Sequence, residues 1–297
     1  MIDIRLKVFQ NVARNLSFSQ ASRILYISQP AVSKHIAELE KEFSTRLFDR
    51  LGNKIQLTRA GELLLDHTER IIKAYELMQF EMNALQQNIT GQLRIGASTT
   101  ISQYILPEIL ASFLSAYPNL HVNMISGNSH EIEEQLKAGR IDIGLVEGVS
   151  RQPELRYTRF MKDELVAIVS SRNPLAEKDE ISINELRTLP LVMREYGSGT
   201  LDVIEQHLNE KNIRLSDLNI ILNFGTTEGI KHFVSRSNVM GIISIRAVSK
   251  EILDGEFKVI DIRDLPINRY LNIVEKQGKS TGLQSMFSEH ITKNYRL

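Results

Sequence analysis

At 297 residues and 33.9 kDa, with 42% apolar residues, the chain has room for two or three units with real cores. The absence of cysteine excludes disulfides, thiolate metal sites and thiol switches; no run of eighteen apolar residues occurs, and Met1-Ile2-Asp3-Ile4-Arg5 lacks a signal peptide's apolar region, so a cytoplasmic location with no membrane partner is expected. Net charge is zero but unevenly spread: residues 1–60 hold ten Lys+Arg against five Asp+Glu, leaving the remainder at −5, so positive charge gathers where a polyanion would dock.

Leu6, Phe9, Val12 and Ala13 give a first helix a narrow apolar stripe that can close a three-helix core with Ala21, Ile24, Leu25 and Val32. Two helical patterns follow, Ser19 to Leu25 and Gln29 to Phe43, joined by Tyr26-Ile27-Ser28, the gap a helix-turn-helix needs. Ser28 is an N-cap type, and Pro30 falls in the first turn, where its missing amide costs nothing. Val32, Ile36, Leu39 and Phe43 form one buried stripe, and Gln29, Ser33, Lys34 and Glu38 lie opposite. Such a face carries the donors and acceptors that base edges and phosphates require, although an ordinary solvated face looks the same. After Leu47-Phe48, two short extended pieces around Gly52-Asn53 predict a hairpin, the wing of a winged helix, with Arg50 and Lys54 near its tip in reach of phosphate or minor groove. From Thr58 to about Gln87, Leu64, Ile71, Met78 and Leu85 recur every seven residues, with Tyr75 and Met82 widening the stripe. A helix of this length, about 42 Å, needs a partner, either a second subunit or its own C-terminal domain.

From Gln92 strands alternate with helices. Strands are expected at Leu93 to Ala97, Leu120 to Ser126, Asp142 to Glu147, Leu155 to Phe160, Glu164 to Ser170, Leu189 to Met193, Ile220 to Phe224, Met240 to Ser244, Phe257 to Ile260 and Arg269 to Val274. Helices fit Ser102 to Ala116, Ser129 to Ala138, Leu201 to Asn212, Thr227 to Ser237, Arg246 to Asp254 and Leu283 to Asn294. This alternation implies a parallel sheet covered on both faces, whose ligands bind at strand carboxyl ends against helix N-termini. Three such places stand out: Ser98-Thr99-Thr100-Ile101-Ser102, Gly197-Ser198-Gly199-Thr200, and Thr226-Thr227. Hydroxyls beside free amides suit a small anion, while each cluster alone reads equally as a helix cap. Glu147 at a strand's end would repel an anion unless a cation accompanies it; Arg194 is that cation, or it is paired structurally with Glu147 or Glu195. His35, His67, His121, His130, His207, His232 and His290 never pair at i, i+3 or i+4, so no metal site is expected, and no cofactor beyond a small-molecule effector.

Ser17-Phe18-Ser19-Gln20-Ala21-Ser22, Ile27-Ser28-Gln29-Pro30-Ala31-Val32-Ser33, Ile36, Leu39-Glu40, Leu47-Phe48-Asp49-Arg50 and Leu57-Thr58-Arg59-Ala60-Gly61 closely resemble the N-terminal domain of LysR-type transcriptional regulators. Ser44 departs from it, since the family usually has glycine after the recognition helix and a left-handed helix end costs serine more. The resemblance implies a multidomain α and α/β chain: a winged helix-turn-helix (1–60), a linker helix for dimerisation (61–90) and a two-lobed, periplasmic-binding-protein-like effector domain (91–297). Its first lobe would span about 91–160 and 267–297 and its second 161–266, with a cleft between them. It also implies no enzyme but a regulator that reads an interrupted inverted repeat as a homodimer or homotetramer, with RNA polymerase among its partners. Gln29, Ser33 and Lys34 would then address the major groove, with Pro30 beside them and Ser28, Arg50, Lys54 and Arg59 on the backbone or minor groove. Val146-Glu147-Gly148, Met193-Arg194-Glu195 and Gly225-Thr226-Thr227-Glu228-Gly229-Ile230-Lys231 resemble the subgroup that regulates sulfur assimilation and carbon fixation. That subgroup implies a sulfur oxyanion, a phosphorylated metabolite or a cofactor as effector. The rival readings are an architectural DNA-binding protein without effector and an enzyme on the two-lobed domain; no nucleophile elbow, full Walker loop, HExxH or dinucleotide fingerprint supports the latter.

Overall fold

The computed structural model describes residues 3–51, 54–85, 89–149, 151–278 and 282–295, and the chain divides into two units, Met1–Asn88 and Ile89–Leu297. The first unit contains α1 (Ile4–Asn15), α2 (Phe18–Leu25), α3 (Gln29–Glu42), β1 (Phe48–Leu51), β2 (Lys54–Leu57) and α4 (Arg59–Leu85). Polar caps start its short helices: Asp3, Ser17 and Ser28 accept from the amides of Arg5, Gln20 and Ala31. Left-handed residues follow them at Leu16, Tyr26 and Ser44, none of them glycine, each at a cost of roughly 1–2 kcal/mol. At Ser44 the turn keeps the form glycine would give it, with the Ser44 amide donating to Lys41 O (3.3 Å) and the Thr45 amide to Glu40 O (3.1 Å).

Phe9, Val12, Ala13, Ala21, Val32, Ile36 and Leu39 fill the core as the stripes predict, joined by Val8, which was not expected there. Two expected members do not. Phe43 caps α3 beyond its last turn and is about half exposed, and Ile24 is also about half exposed because Leu25, about 100° further round α2, takes the inward place. β1 and β2 pair antiparallel from Phe48↔Leu57 to Leu51↔Lys54, the predicted hairpin, whose Gly52-Asn53 tip lies outside the described residues. Along α4, Leu64 and Leu65 pack on this core and Ile72 is buried, whereas Ile71, Met78 and Met82 are exposed; the Leu85 side chain lies outside the description.

The second unit runs β3 (Gly91–Ser98), α5 (Thr99–Tyr104), α6 (Leu106–Ala116), β4 (Leu120–Gly127), α7 (Ser129–Lys137), β5 (Ile143–Glu147), β6 (Leu155–Ser170), β7 (Glu180–Ile181), α8 (Ile183–Thr188), β8 (Leu191–Arg194), α9 (Gly199–Asn209), β9 (Ile220–Phe224), α10 (Thr227–Val234), β10 (Met240–Ser244), α11 (Ser249–Leu253), β11 (Phe257–Ile262), β12 (Ile267–Lys276) and α12 (Leu283–Asn294). The strands form one sheet in the order β4-β3-β5-β12-β6-β10-β8-β9, with β11 on β6 and β7 on β11. Neighbours within β4-β3-β5 and within β10-β8-β9 are parallel; β12 and β6 join these halves through antiparallel pairs. Helices cover both faces of each half: α6 with α12 and, opposite, α7 in the first; α8 with α9 and, opposite, α10 in the second.

Three differences from the sequence reading have local causes. The helix expected over 102–116 starts at Thr99 and breaks at Ile105, because Pro107 sits in the first turn of a new helix and has no amide to continue the old one. The strands expected at Leu155 to Phe160 and Glu164 to Ser170 are one strand, since β12 pairs with it from Leu155 to Leu165. The 246–254 helix is a short 3-10 turn, Ile245–Ala247, followed by α11; β7 and α8 were not anticipated. Where the first lobe was expected to end, the β6–β12 register shifts between Leu271 and Asn272, which pair with Met161 and Arg159 and leave Phe160 as a bulge.

Candidate nucleic-acid interface and effector junction

In the first unit Ser28 Oγ accepts from the Ala31 amide at 3.3 Å and starts α3 sharply, with Pro30 in its first turn. Val32, Ile36 and Leu39 are buried, which turns Ser28, Gln29, Pro30, Ser33 and Lys34 to solvent. The Lys34 side chain is 76% exposed, and its only ion pair among the described residues is a loose 4.0 Å contact with Glu38. Such a contact contributes little and leaves the ammonium available. The sequence reading missed one partner: Ser19 Oγ, at the start of α2, donates to Gln29 Oε1 at 3.1 Å and ties the two helix starts together.

Arg59 is exposed at the first position of α4 and shares a surface hollow with Arg46, a second cation that the sequence reading left out. Thr58 holds this corner, its hydroxyl donating to Arg46 O (2.7 Å) and accepting from the Gly61 amide (3.0 Å). Arg50 and Lys54 lie on the paired strands as expected, and their side chains fall outside the described residues.

In the second unit two of the three hydroxyl clusters are connected where the halves of the sheet meet. Ser98 caps α5 and its hydroxyl donates to Glu147 Oε2. Arg269 Nη1 lies 3.6 Å from Glu147 Oε1 and donates to Thr200 Oγ1 at 2.8 Å, so the first two clusters are linked through one guanidinium. Arg269 Nε donates to Asp163 Oδ2 at 2.7 Å, and Ser244 Oγ to Asp163 Oδ1 at 2.8 Å. The side chains of Glu147, Asp163 and Arg269 are 0–1% exposed. Gly199 packs on Glu147 so closely that a Cβ there would stand 1.9 Å from the Glu147 carbonyl oxygen, and only glycine fits. Ser198 caps α9 through the Thr200 amide, and Ser102 Oγ donates to Thr99 O. Thr99 and Thr100 are buried; Thr99 Oγ1 has no hydrogen-bond partner among the described residues.

The cation beside Glu147 is therefore Arg269, and Arg194 takes the structural alternative. Its buried guanidinium grips Glu195 through two bonds of 2.9 and 3.0 Å and donates to Phe224 O, Gly225 O and Thr227 Oγ1. Thr226 is exposed and caps α10 through the Gly229 amide. The first turn of α10 also reaches α5, with Tyr104 Oη donating to Glu228, which pairs with the buried Lys231 at 2.9 Å. Burial opposes the Glu228 charge, but the Tyr104 and Lys231 hydrogen bonds outweigh it and hold the carboxyl below its ordinary range. Burial, reinforced by the carboxylate, pushes the Tyr104 hydroxyl far up.

Known proteins match both units. The family model for the bacterial regulatory helix-turn-helix protein, lysR family, matches residues 4–62, and that for the LysR substrate binding domain matches 86–293. The HTH-type transcriptional regulator CysL of Bacillus subtilis is 32% identical over 98% of this chain and 97% of its own length. A probable RuBisCO transcriptional regulator of Thalassiosira pseudonana is 32% identical over 91% of this chain and 90% of its own, in keeping with the expected subgroup. The CcmR regulatory domain of Synechocystis, solved in complex with 2-PG, superposes with a TM-score of 0.63 at 25% identity, covering 69% of this chain and 98% of that one. Relatives named as transcriptional regulators remove the enzyme reading. Both domains, in this order and aligned almost end to end with full-length relatives, make the chain a member of the LysR family of transcriptional regulators.

Proposed function

We propose that this regulator reads an interrupted inverted repeat as a homodimer or homotetramer in the cytoplasm, and that a small anionic metabolite held between the two lobes controls its contact with promoter DNA and RNA polymerase. The observation that carries the DNA half is the exposed polar face of α3: Gln29, Ser33 and Lys34 stand in solvent in a region of charge +5. The exposed apolar residues of α4, Ile71, Met78 and Met82, support pairing with a second copy. For the effector half, Arg269 offsets the Glu147 charge, and the α5 start brings the buried Thr99 and Thr100 together, the Thr99 hydroxyl having no partner among the described residues. The relative CcmR, with its bound 2-PG, a small phosphorylated anion, supports the same ligand class.

A mobility-shift titration with the DNA upstream of the gene tests the first half. Gln29→Ala is expected to weaken specific binding by about 1–3 kcal/mol, and Lys34→Ala to reduce the slope of affinity against salt by about one unit. Wild-type affinity in both variants would remove α3 as the reading element. Thermal-shift measurements with sulfate, sulfite, thiosulfate, phosphorylated sugars and nicotinamide cofactors test the second half, because a ligand bound only to the folded chain must raise its melting temperature. Thr100→Ala should lose that rise, and an unchanged response would move the site.

A further inference from the structure

The most exposed large hydrophobic side chain among the described residues lies just outside the set assigned to groove reading. Tyr26 ends α2 at φ +53° and ψ +39° and is 95% exposed. The Ile27 amide donating to Ser22 O (3.1 Å) and the Tyr26 amide donating to Arg23 O (3.4 Å) lock the turn, so the left-handed conformation is built in. Glycine serves such a position without steric cost, whereas a tyrosine there bears that cost and should regain it through packing. Its ring packs on nothing that would do so, and no hydrogen bond, ion pair or ring contact holds the phenol among the described residues. A bulky side chain kept in a disfavoured conformation and left in water points to a partner outside the chain.

Where that partner lies follows from the turn. Tyr26 is two residues before Ser28, so its Cα is at most about 7.6 Å from the cap of α3. It stands on the turn, outside the helix that enters the groove, and the exposed Arg23 flanks it. Groups around a recognition helix meet the sugar-phosphate edge, whereas groups on its face meet bases. We propose that Tyr26 is a DNA-contacting residue whose phenol donates a hydrogen bond to a phosphate oxygen at the rim of the groove that α3 enters. This rests on the reading of α3 given above. The contact is neutral, so it anchors the turn without displacing a counterion and without reading sequence.

The test uses the full chain, a duplex selected by it from a random-sequence pool, and an unselected duplex of the same length, with binding followed by fluorescence anisotropy at several salt concentrations. Tyr26→Phe, which removes only the hydroxyl, is expected to weaken binding about three- to tenfold on both duplexes, with an unchanged salt slope. Tyr26→Gly should bind at least as weakly while melting a few degrees higher, about what relief of the turn supplies, so that lost binding is not lost folding. Wild-type affinity of Tyr26→Phe on both duplexes overturns the proposal, and so does a loss confined to the selected duplex, which would make Tyr26 a base contact. A Tyr26→Gly chain that melts lower than wild type overturns it as well, since the side chain would then serve the fold. If Gln29→Ala and Lys34→Ala both bind normally, the α3 reading fails and the rim position of Tyr26 falls with it; if they weaken binding and Tyr26→Phe does not, only the Tyr26 contact fails.

Discussion

Ser28 and Ser98 both cap helices, and there the likeness ends. Ser28 accepts one amide and otherwise faces water, with Gln29, Ser33 and Lys34 solvated beside it. Ser98 is 1% exposed and also donates to a buried carboxylate, which faces Arg269, which in turn holds Asp163 and Thr200. A surface that meets a large partner keeps its donors in water, where each is cheap to leave unpaired until the partner arrives. A junction closed upon itself has paired most of its polar groups, with the Thr99 hydroxyl an exception, so a ligand that meets Glu147 or Arg269 there must exchange bonds with the protein. Substitutions on α3 should therefore change binding, and substitutions at the junction should change folding first.

Arg269→Met is the strongest way to break this contrast. It leaves Glu147 and Asp163 buried without their guanidinium and is expected to cost about 3–5 kcal/mol. Hydrogen exchange should speed up in peptides from 89–297 and stay unchanged in peptides from 3–85; wild-type protection throughout would erase the distinction. Ser44→Gly sharpens the other side. Relief of the left-handed turn, offset by glycine's greater freedom when unfolded, should stabilise the first unit by roughly 0.5–1 kcal/mol and slow exchange in α3, with DNA affinity unchanged.

The smallest effect is expected at Glu133, a buried acceptor for Tyr157 Oη at 2.8 Å. Burial raises its pKa, and the Tyr157 hydrogen bond only partly offsets this. The folded chain then holds the proton more tightly than the unfolded one. The resulting stability is fully present below the ordinary glutamate value and is lost as pH rises through the raised folded value. Glu133→Gln should accordingly melt above wild type at neutral pH and converge with it in acid. Far-ultraviolet circular dichroism reads this, the chain having no tryptophan.

The two regions also differed in how well the chain's order of residues foretold them. The α3 face is local: a cap, a proline and a 3.6-residue stripe lie within fifteen residues, and Gln29, Ser33 and Lys34 lie on the solvent side as these imply. Only Phe43, past the end of α3, and Ile24, near the end of α2, went astray, because burial at a helix end depends on what packs beyond it. The junction is assembled from β5, β6, β12 and the starts of α5 and α9, so neither Arg269 nor Asp163 was anticipated, and Arg194 was offered in their place. A signal was present nonetheless. Arg269 is in phase with the buried Ile267 and Leu271, and Asp163 with Met161 and Leu165, so opposite charges occupy inward positions on two strands that pair Arg269↔Asp163. Charges in the buried phase of a strand are rarely found without partners.

The bulge at Phe160 bears on how one lobe can move against the other. β12 stays paired with β6 along its whole length, from Leu155 to Leu165 of β6, apart from that one inserted residue. Opening the lobes like a jaw would tear this ladder, whereas a bulge already carries extra right-handed twist and bends with little loss of pairing. Motion between the lobes is thus channelled into wringing the shared sheet about its long axis, which would turn the far edges, β4 and β9, in opposite senses.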